Sequence, residues 1–438
     1  MKKVLICSYC YPPYINESGF IGSLRISKFA KYLPLYGFEP FILAAKDPWS
    51  SPLFYNNLDP SVNIDHTDFL DPYFVIHNTI RKKPQDKRTS IDQISSGEMR
   101  KTDNKNNFKK IIRDAFVWPD TRLFWVVLGN SIAKGSRIIE RENIDVIMST
   151  SPPVTTHILG DILARKNELP WLADFRDSWT GNRNYERIGP FRVIDEFFEK
   201  RCLRRADVLT TVSEPIAEEL FRVHRKPVYI IPNGFDEEDY DFNVEMDNAF
   251  TITYTGTINK IRLASLEILF EAISMMLRNG YFNDNDIKIQ ILGAPIRSDI
   301  IKLAKMYEIQ EYVKIIPWVP YETSIKYQKA SQILLSLEGL REREGVYTGK
   351  IFEYLGARRP ILAIAQKGGV IDQLLKQTRA GILCCDAHET VEILLKWYCE
   401  WKKYGSIRYE GINDELQRFT RRETARRLSE VLNSLIEK

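Results

Sequence analysis

The chain has 438 residues and a formal net charge of only +4, with 44% hydrophobic and 27% charged residues. This composition is that of a soluble globular protein, and it excludes both a disordered chain and an integral membrane protein. One hydrophobic core rarely fills so long a chain, so we expect two or three domains of about 150–200 residues. Six cysteines are too few for a disulfide scaffold, and the cytoplasm is the expected compartment.

The chain begins with a short apolar run, which we interpret as a buried strand. Tyr11, Pro12 and Pro13 interrupt the run where the apolar part of a secretory signal would continue. Cys7 and Cys10 form a C-x-x-C pair, but prolines follow where a redox pair would open a helix, so we predict structural thiols. No second pair of ligands has zinc-like spacing, and we predict no metal and no other cofactor.

Short apolar runs rich in β-branched residues alternate with longer segments of helical period, which is typical of parallel sheets covered by helices on both faces. The runs form two series. They lie at 2–8, 39–45, 145–150, 171–175, 207–213 and 228–234, and then at 250–257, 287–293, 313–319, 332–337, 360–365 and 381–385. We predict an α/β protein of two doubly wound, Rossmann-like domains with a ligand cleft between them.

The acidic, polar segment 235–248 separates the two series and contains few residues that a core could bury. We interpret it as an interdomain linker, with an N-terminal domain over 1–240 and a C-terminal domain over 241–410. Apolar residues of helical period near the C-terminus predict a helix within 411–438 that packs back onto the N-terminal domain.

Residues 81–113 carry eleven Lys or Arg against four Asp or Glu, a net charge of +7. Almost no aromatic residues lie between these charges, and we expect no nucleic-acid partner. We predict that 82–106 is a solvated, flexible insertion. The alternative is attraction to anionic lipids at the inner face of the cell membrane.

The most informative segment is TGKIFEYLGARRPILAIA, residues 348–365. Gly349 opens a predicted helix, and Lys350 and Glu353 share one face of its first turn. Free N–H groups at a helix start favour anions. A lysine can neutralise a diphosphate, and a carboxylate can accept hydrogen bonds from a ribose diol. The pair therefore suits a nucleotide sugar, although an ordinary surface Lys-Glu pair has the same spacing.

This segment resembles the donor-site helix of family-4 glycosyltransferases, and the resemblance covers most of the chain. Further blocks match a bacterial subgroup of the family in order and spacing. They are YPP (11–13) with Gly19, Gly22 and Arg25, PDTRLFW (119–125), STSPPVTTHILG (149–160), PWLADFRDSWT (170–180), TVSEPIAEEL (211–220) and IPNGFDEEDY (231–240). The resemblance implies a GT-B fold of two facing Rossmann-like domains and a retaining hexosyl- or related transferase. It also implies a UDP- or GDP-linked sugar as the donor, without a metal.

The resemblance also implies roles for residues of the C-terminal half. Glu353 would bind the donor ribose, while Lys350, with Thr348 and the Gly349 backbone, would lie near the diphosphate.

A second cation is expected from the loop YTGTINKIR (254–262), where Gly256 allows a close approach of the backbone. Arg262 is favoured because a guanidinium can bind phosphate oxygens through two hydrogen bonds, and Lys260 is the alternative. Recognition of the base is expected around Trp318.

In the N-terminal half, the loop with Gly19 and Gly22 would face the donor and the acceptor. Arg25 and Asp174 are expected on the acceptor side.

Arg176 stands where many relatives have a histidine, and an Arg-Asp cluster at this strand end can orient an acceptor. Asp177 can assist deprotonation of the acceptor hydroxyl. The alternative is a structural pair of Arg176 and Asp177, and the identity of the base stays open.

Many relatives carry a carboxylate eight residues before Glu353, where this chain has Gly345, with Glu344 adjacent. We predict that the subgroup lacks this carboxylate, which leaves recognition of the donor sugar open. Asp284-Asn285-Asp286 is interpreted as a surface turn.

We predict transfer to a glycan or lipid-linked acceptor in the assembly of bacterial surface polysaccharide or a related glycan. The alternatives are an inactive, donor-binding partner subunit and a nucleotide-sugar epimerase.

Overall fold

The computed structural model describes residues 1–15, 20–50, 62–72, 74–75, 119–181, 189–283, 286–294, 296–340 and 347–437. The chain divides into two compact units. Unit 1 comprises Met1–Ile231 and Ala425–Lys438, and unit 2 comprises Pro232–Thr424.

The described part of unit 1 is built on a seven-stranded parallel sheet of order β3-β2-β1-β4-β5-β6-β7. Its strands are β1 (Lys2–Cys7), β2 (Phe38–Ala45), β3 (Asn63–Thr67), β4 (Val146–Ser151), β5 (Trp171–Phe175), β6 (Val208–Thr211) and β7 (Val228–Ile230). Its helices are α1 (Phe20–Tyr32), α2 (Leu123–Val127), α3 (Ser131–Glu142), α4 (Thr155–Asn167), α5 (Gly189–Leu203) and α6 (Glu214–His224). The strand order reverses between β1 and β4, which is where such sheets open a ligand crevice.

Unit 2 has a six-stranded parallel sheet, within its described residues, of order β10-β9-β8-β11-β12-β13. The strands are β8 (Phe250–Thr255), β9 (Ile287–Leu292), β10 (Val313–Ile316), β11 (Ile333–Leu337), β12 (Ile361–Ile364) and β13 (Gly381–Cys384). The helices are α7 (Lys260–Arg278), α8 (Arg297–Met306), α9 (Tyr321–Ala330), α10 (Gly349–Ala357), α11 (Val370–Thr378), α12 (Ala387–Tyr404) and α13 (Asn413–Gln417). Here the order reverses between β8 and β11.

The last described helix, α14 (Arg421–Ile436), begins in unit 2 and continues into unit 1 from Ala425 onwards. Its apolar residues Leu428 and Leu432 are fully buried in a core of unit 1 together with Phe29 of α1. The C-terminal segment thus completes one face of the unit 1 sheet.

Each sheet is buried on both faces, which explains why its strands are nearly continuous apolar runs. In β1, Leu5 and Cys7 lie in one core, while Val4 and Ile6 lie in the other. Successive side chains of a strand point to opposite faces, so two cores need an apolar residue at every position. Strand β11 of unit 2 follows the same rule.

The predicted α/β class is confirmed, and the twelve predicted runs all coincide with strands of the two sheets. The sequence did not indicate β3, whose residues are Asn63, Ile64, Asp65, His66 and Thr67. This strand lies at the edge of the described sheet and pairs only with β2 there. An edge strand is less covered than a central one, so polar residues are tolerated and the apolar signal is weak.

The segment 235–248 is not a free linker, because it packs onto unit 2. Phe235 and Tyr240 are buried in a core of this unit, and the Lys329 ammonium donates to the carbonyls of Tyr240 and Phe242. The first unit accordingly ends at Ile231 rather than at 240, because aromatic residues anchor the next segment to unit 2.

Several predictions concern residues outside the described part: Gly19, the basic stretch 81–113, Asp284-Asn285, and Glu344 with Gly345. Among the residues that are described, no helix combines the length and the apolar composition needed to cross a membrane.

Candidate functional site

The predicted donor residues of unit 2 lie at the carboxyl ends of β8 and β11. These strands pair directly, and the strand order reverses between them. Gly256 follows β8, Glu338 follows β11, and α10 begins at Gly349. The fold therefore brings together three loops at the position where doubly wound sheets bind ligands.

Helix α10 begins without a side-chain cap. Thr348 occupies the N-cap position in an extended conformation, but its side chain makes no cap hydrogen bond. Its hydroxyl instead donates to the Glu338 carboxylate over 2.9 Å. The Ile351 N–H donates to the Thr348 carbonyl over 3.2 Å. Among the described residues, the N–H groups of Gly349 and Lys350 have no partner within the helix, so they can donate to an anion.

Lys350 is half-buried and lies against the loop after β8. Its ammonium donates to the Tyr254 hydroxyl and lies 4.2 Å from the centroid of that ring. A Cβ atom on Gly256 would lie 2.5 Å from Cε of Lys350, and Gly256 has a φ of 110°. Only glycine adopts this backbone readily, and only glycine leaves room for the lysine.

Arg262 belongs to the first turn of α7 and is the second cation of the site. Its Nη1 donates to the Thr257 carbonyl over 3.1 Å, and its Nη2 lies 3.9 Å from the Glu338 carboxylate. Asn259 caps the helix by accepting from the Arg262 N–H. The alternative cation, Lys260, has an exposed side chain, so the structure brings Arg262 to Lys350 and leaves Lys260 at the surface.

The two cations converge on one buried carboxylate. Burial lowers the pKa of Lys350, and the Arg262 charge lowers it further, while Glu338 and Glu353 act in the opposite direction. An anion bound at the start of α10 would favour the charged form of Lys350 and so raise its pKa.

Glu353 lies one turn from the helix start and is half-buried. It accepts a hydrogen bond from the Gln328 amide of α9 over 3.1 Å, through Oε2. Burial raises the pKa of Glu353 to about 7, although Gln328 and Lys350 lower it. Within the described part, Oε1 has no hydrogen bond, so it can accept one from a hydroxyl of a ligand.

Sequence analysis did not identify Glu338 or Gln328. Glu338 carried one available signal, its position directly after the predicted strand 332–337, where the ligand crevice opens. Gln328 carried none, because a buried glutamine within a helix has no characteristic spacing.

Trp318 lies beside the same loops, at the segment expected to recognise the base. Its side chain is 53% exposed. A Cβ on Gly293, after β9, would lie 3.5 Å from the indole and 3.6 Å from the Cα of Gly256. An exposed aromatic face thus lies next to the loop that follows β8 and contains Gly256.

In unit 1, Arg176 and Gly22 meet near the β1–β4 reversal. The guanidinium donates to the Ser151 carbonyl over 3.0 Å and to the Pro152 carbonyl over 2.5 Å. A Cβ on Gly22, in the first turn of α1, would lie 1.8 Å from Nη1 of Arg176. Glycine is therefore required here for the helix to approach the guanidinium.

Asp177 follows Arg176 and is half-exposed. Burial raises the pKa of its carboxyl, and the neighbouring Arg176 charge opposes that shift. Its side chain forms no hydrogen bond or ion pair within the described residues, so the paired arrangement with Arg176 is not formed through direct contact. A half-exposed carboxylate with a raised pKa has the properties of a general base.

Arg25 and Asp174 were expected on the acceptor side, but the structure places both in the core of unit 1. They form an ion pair of 3.0 Å, and both side chains are fully buried. Thr150 and Thr210, from the strands on either side, each donate to Asp174 over 2.8 Å. Arg25 also donates to the Ile231 carbonyl. This pair holds the sheet to α1 and is not accessible to a ligand in this structure.

The comparisons with known proteins agree with this architecture. Residues 96–239 match the family model of Glycosyltransferase Family 4. Within these residues the chain is similar to that family. The match confirms the resemblance drawn from the sequence, and it includes the strands and loops that carry Arg176 and Asp177. No curated protein matches the sequence.

Solved structures of the same fold cover nearly the whole chain. Sucrose-phosphate synthase from Thermosynechococcus elongatus is 13% identical, with a TM-score of 0.62 over 100% of both chains. HepE from Anabaena, solved in complex with UDP and glucose, is 13% identical, with a TM-score of 0.60 over 99% of this chain and 100% of that one. UDP-GlcNAc 2-epimerase from Methanocaldococcus jannaschii is also 13% identical, with a TM-score of 0.51 over 99% of this chain and 100% of that one. At this identity the likeness shows the fold alone, which is the GT-B fold.

Proposed function

We propose that the chain is a retaining glycosyltransferase that moves a sugar from a nucleoside diphosphate to an acceptor hydroxyl. The observation that carries the proposal is the position of two cations beside the uncapped start of α10. Lys350 lies in its first turn, and Arg262 lies 3.9 Å from the Glu338 carboxylate that accepts from Thr348 at the N-cap. The match to the family-4 model and the fold shared with HepE, which was solved with UDP and glucose, support it.

The reaction breaks the bond between the sugar C1 and a diphosphate oxygen, and it forms a bond from C1 to the acceptor oxygen on the same face of the sugar. Negative charge builds on the departing diphosphate. Lys350, Arg262 and the N–H groups of the first turn of α10 stabilise that charge, and one well-placed donor contributes about 3–4 kcal/mol. Glu353 binds the ribose, and Trp318 stacks against the base.

The acceptor proton passes to a base or to an oxygen of the leaving phosphate. Asp177 is the candidate base in unit 1, since its raised pKa brings it closer to neutral pH. Arg176 orients the acceptor through its exposed edge. We infer a glycan or lipid-linked acceptor of bacterial surface polysaccharide assembly, used in the cytoplasm at the inner face of the cell membrane.

We further propose that no metal ion takes part, because two side-chain cations supply the charge that a divalent ion would bring to the diphosphate. Transfer should then continue at an unchanged rate in excess EDTA. A rate that collapses in EDTA and returns with added magnesium would contradict this part of the proposal.

Nucleotide binding tests the site directly. A thermal-shift panel of UDP, GDP, dTDP, ADP and CMP should identify one base, because a ligand at 100 times its dissociation constant adds about 2.7 kcal/mol of stability. The shift should disappear in Lys350→Ala and Glu353→Ala. It should persist in Lys326→Ala and Glu392→Ala, which remove the same charges elsewhere in unit 2. Equal shifts in all four variants would overturn the site.

A second candidate activity is epimerisation of a nucleotide sugar, because one solved structure of this fold is an epimerase. Incubation with the preferred nucleotide sugar and no acceptor distinguishes the two activities, since an epimerase converts the donor alone. An inactive partner subunit would bind the nucleotide but would neither transfer nor hydrolyse the sugar.

A further inference from the structure

Helix α5 of unit 1 presents large apolar side chains to solvent. Val193, Ile194 and Phe197 are 66%, 50% and 69% exposed. At about 100° per residue, the three project within one sector of the helix about 100° wide. Exposed apolar residues are usually scattered singly over a protein surface. Three of them on one helix face therefore indicate a surface that binds a partner protein, a ligand or a membrane.

Cationic side chains follow the apolar ones along the same sector of α5. Lys200 and Arg201 project with Phe197 in the last turns of α5, and Arg204 follows in the turn beyond the helix. All three are exposed. Arg192, on another flank, is paired with Glu196 over 3.1 Å and adds no net charge. The exposed face is therefore apolar in its first half and cationic in its second half.

A cavity of about 240 Å³ between α4 and α5 adjoins the cationic half. Arg165, Arg201, Arg204 and Arg205 line it, and the only carboxylate in its lining is Asp161. None of these guanidiniums forms a side-chain hydrogen bond or ion pair in the described part of the chain. Burial raises the pKa of Asp161, and the four arginines lower it. Four cations that share one carboxylate favour an anion from outside.

We propose that this face of α5 docks the protein on an anionic phospholipid bilayer. Val193 and Phe197 enter the boundary between headgroups and acyl chains, and a lipid phosphate lies in the arginine cavity. A nucleic acid would pair with the arginines but would leave the apolar side chains in water. An apolar protein surface would cover the apolar side chains but would leave the arginines without an anion. An anionic membrane presents phosphate groups directly beside acyl chains, and amphipathic helices that lie on a membrane surface bind to both. The docking uses no residue of the donor site in unit 2.

The test is co-sedimentation of the full chain with vesicles. Wild-type protein should bind phosphatidylcholine vesicles containing about 30% phosphatidylglycerol, and binding should weaken as salt rises. Pure phosphatidylcholine vesicles should bind at least about tenfold less. The variant V193S/F197S should lose about tenfold or more in affinity. The variant R201A/R204A should lose about fivefold for each cation.

The matched control is F221S/R222A. It removes an apolar and a cationic side chain that are exposed on a different helix, α6. This control should sediment like the wild type. All variants should keep the nucleotide-induced thermal shift of the wild type, which shows that they are folded.

Three outcomes would overturn the proposal. They are wild-type protein that stays in the supernatant, equal binding to neutral and anionic vesicles, and α5 variants that sediment as well as the control. If deletion of 82–106 abolishes binding while the α5 variants retain it, the basic insertion is the membrane contact instead.

Discussion

Lys350 occupies a position where burial and the Arg262 guanidinium both disfavour its charge. A diphosphate bound at the start of α10 would reverse that preference and draw a proton onto the amine. Glu353 is shifted in the opposite direction, since burial raises its pKa to about 7. The ribose hydroxyls need its ionised form as the acceptor.

The two shifts predict that nucleotide affinity is greatest near neutral pH. Above the lowered pKa of Lys350, affinity should fall as pH rises, because binding must then take up a proton. Below the raised pKa of Glu353, affinity should fall as pH falls, because the carboxyl is protonated. Calorimetry between about pH 5.5 and 8.5, in buffers of different ionisation enthalpy, measures both affinity and proton uptake.

The variant Lys350→Arg separates the alkaline decline in nucleotide affinity from the acid decline. A guanidinium stays charged throughout this range, so the alkaline decline should disappear while the acid decline remains. An alkaline decline that is unchanged in Lys350→Arg would show that another group causes it.

The buried pair of Arg25 and Asp174 predicts a large effect on stability. Burial by itself would raise the pKa of Asp174, but Arg25 and two threonine hydroxyls outweigh it and hold the pKa low. Asp174→Asn leaves Arg25 buried without its counter-charge, and the free energy of unfolding should fall by about 3–5 kcal/mol. Urea unfolding measures this loss, which should shrink at acid pH, where the wild-type pair is also lost.

The exposed pair of Arg192 and Glu196 supplies the control for that measurement. Glu196→Gln should cost at most about 0.5 kcal/mol, because solvent screens the pair. A loss for Asp174→Asn no larger than this would show that Arg25 finds other partners.

At the scale of elements, the loop between β8 and α7 depends on Gly256. Alanine there meets two obstacles, a φ of 110° and a Cβ 2.5 Å from Lys350. We predict that Gly256→Ala weakens nucleotide binding at least about tenfold, because displacing Lys350 removes one charge-assisted contact.

Gly280→Ala is the comparison, since Gly280 has a φ of 70° and no atom within 4 Å of the added Cβ. It should destabilise the fold through backbone strain while leaving nucleotide affinity intact. Calorimetric titration of both variants separates the steric contact from the strain. Equal loss of affinity in both would contradict the role given to the Lys350 contact.

The sequence predicted the sheets well, because a strand buried on both faces has a strong apolar signal that needs no tertiary information. It predicted the start of α10 and Lys350 from a local pattern and a resemblance. The sequence favoured Arg262 over Lys260, two residues away, only through the chemistry of the guanidinium. Which of the two side chains faces the β11 loop depends on the fold. Asp174 looked like a site residue because it is charged and near a strand end. Its position between Thr150 and Thr210 depends on strand register, which the sequence alone did not give.

At the scale of the whole molecule, the proposed donor residues Lys350, Glu353 and Arg262 belong to unit 2, which has its own cores. Calorimetric unfolding should therefore show two transitions, and the preferred nucleotide should raise the transition of unit 2 much more than that of unit 1.

Core variants assign the two transitions. Leu159→Ala should lower the transition of unit 1, and Ile289→Ala that of unit 2, each by about 2–5 kcal/mol in unfolding free energy. If the nucleotide raises the transition that Leu159→Ala lowers, the donor site has been assigned to the wrong unit.

Helix α14 has a consequence for the order in which the chain folds on the ribosome. The first 231 residues are translated first, yet the face of their sheet that holds Val4 and Ile6 is completed by Leu428 and Leu432. Unit 2 is continuous in the chain and can close its cores earlier. Part of an apolar face of the unit 1 sheet therefore stays uncovered on the ribosome until α14 has been synthesised. During that interval we expect the N-terminal half to be the segment that chaperones engage.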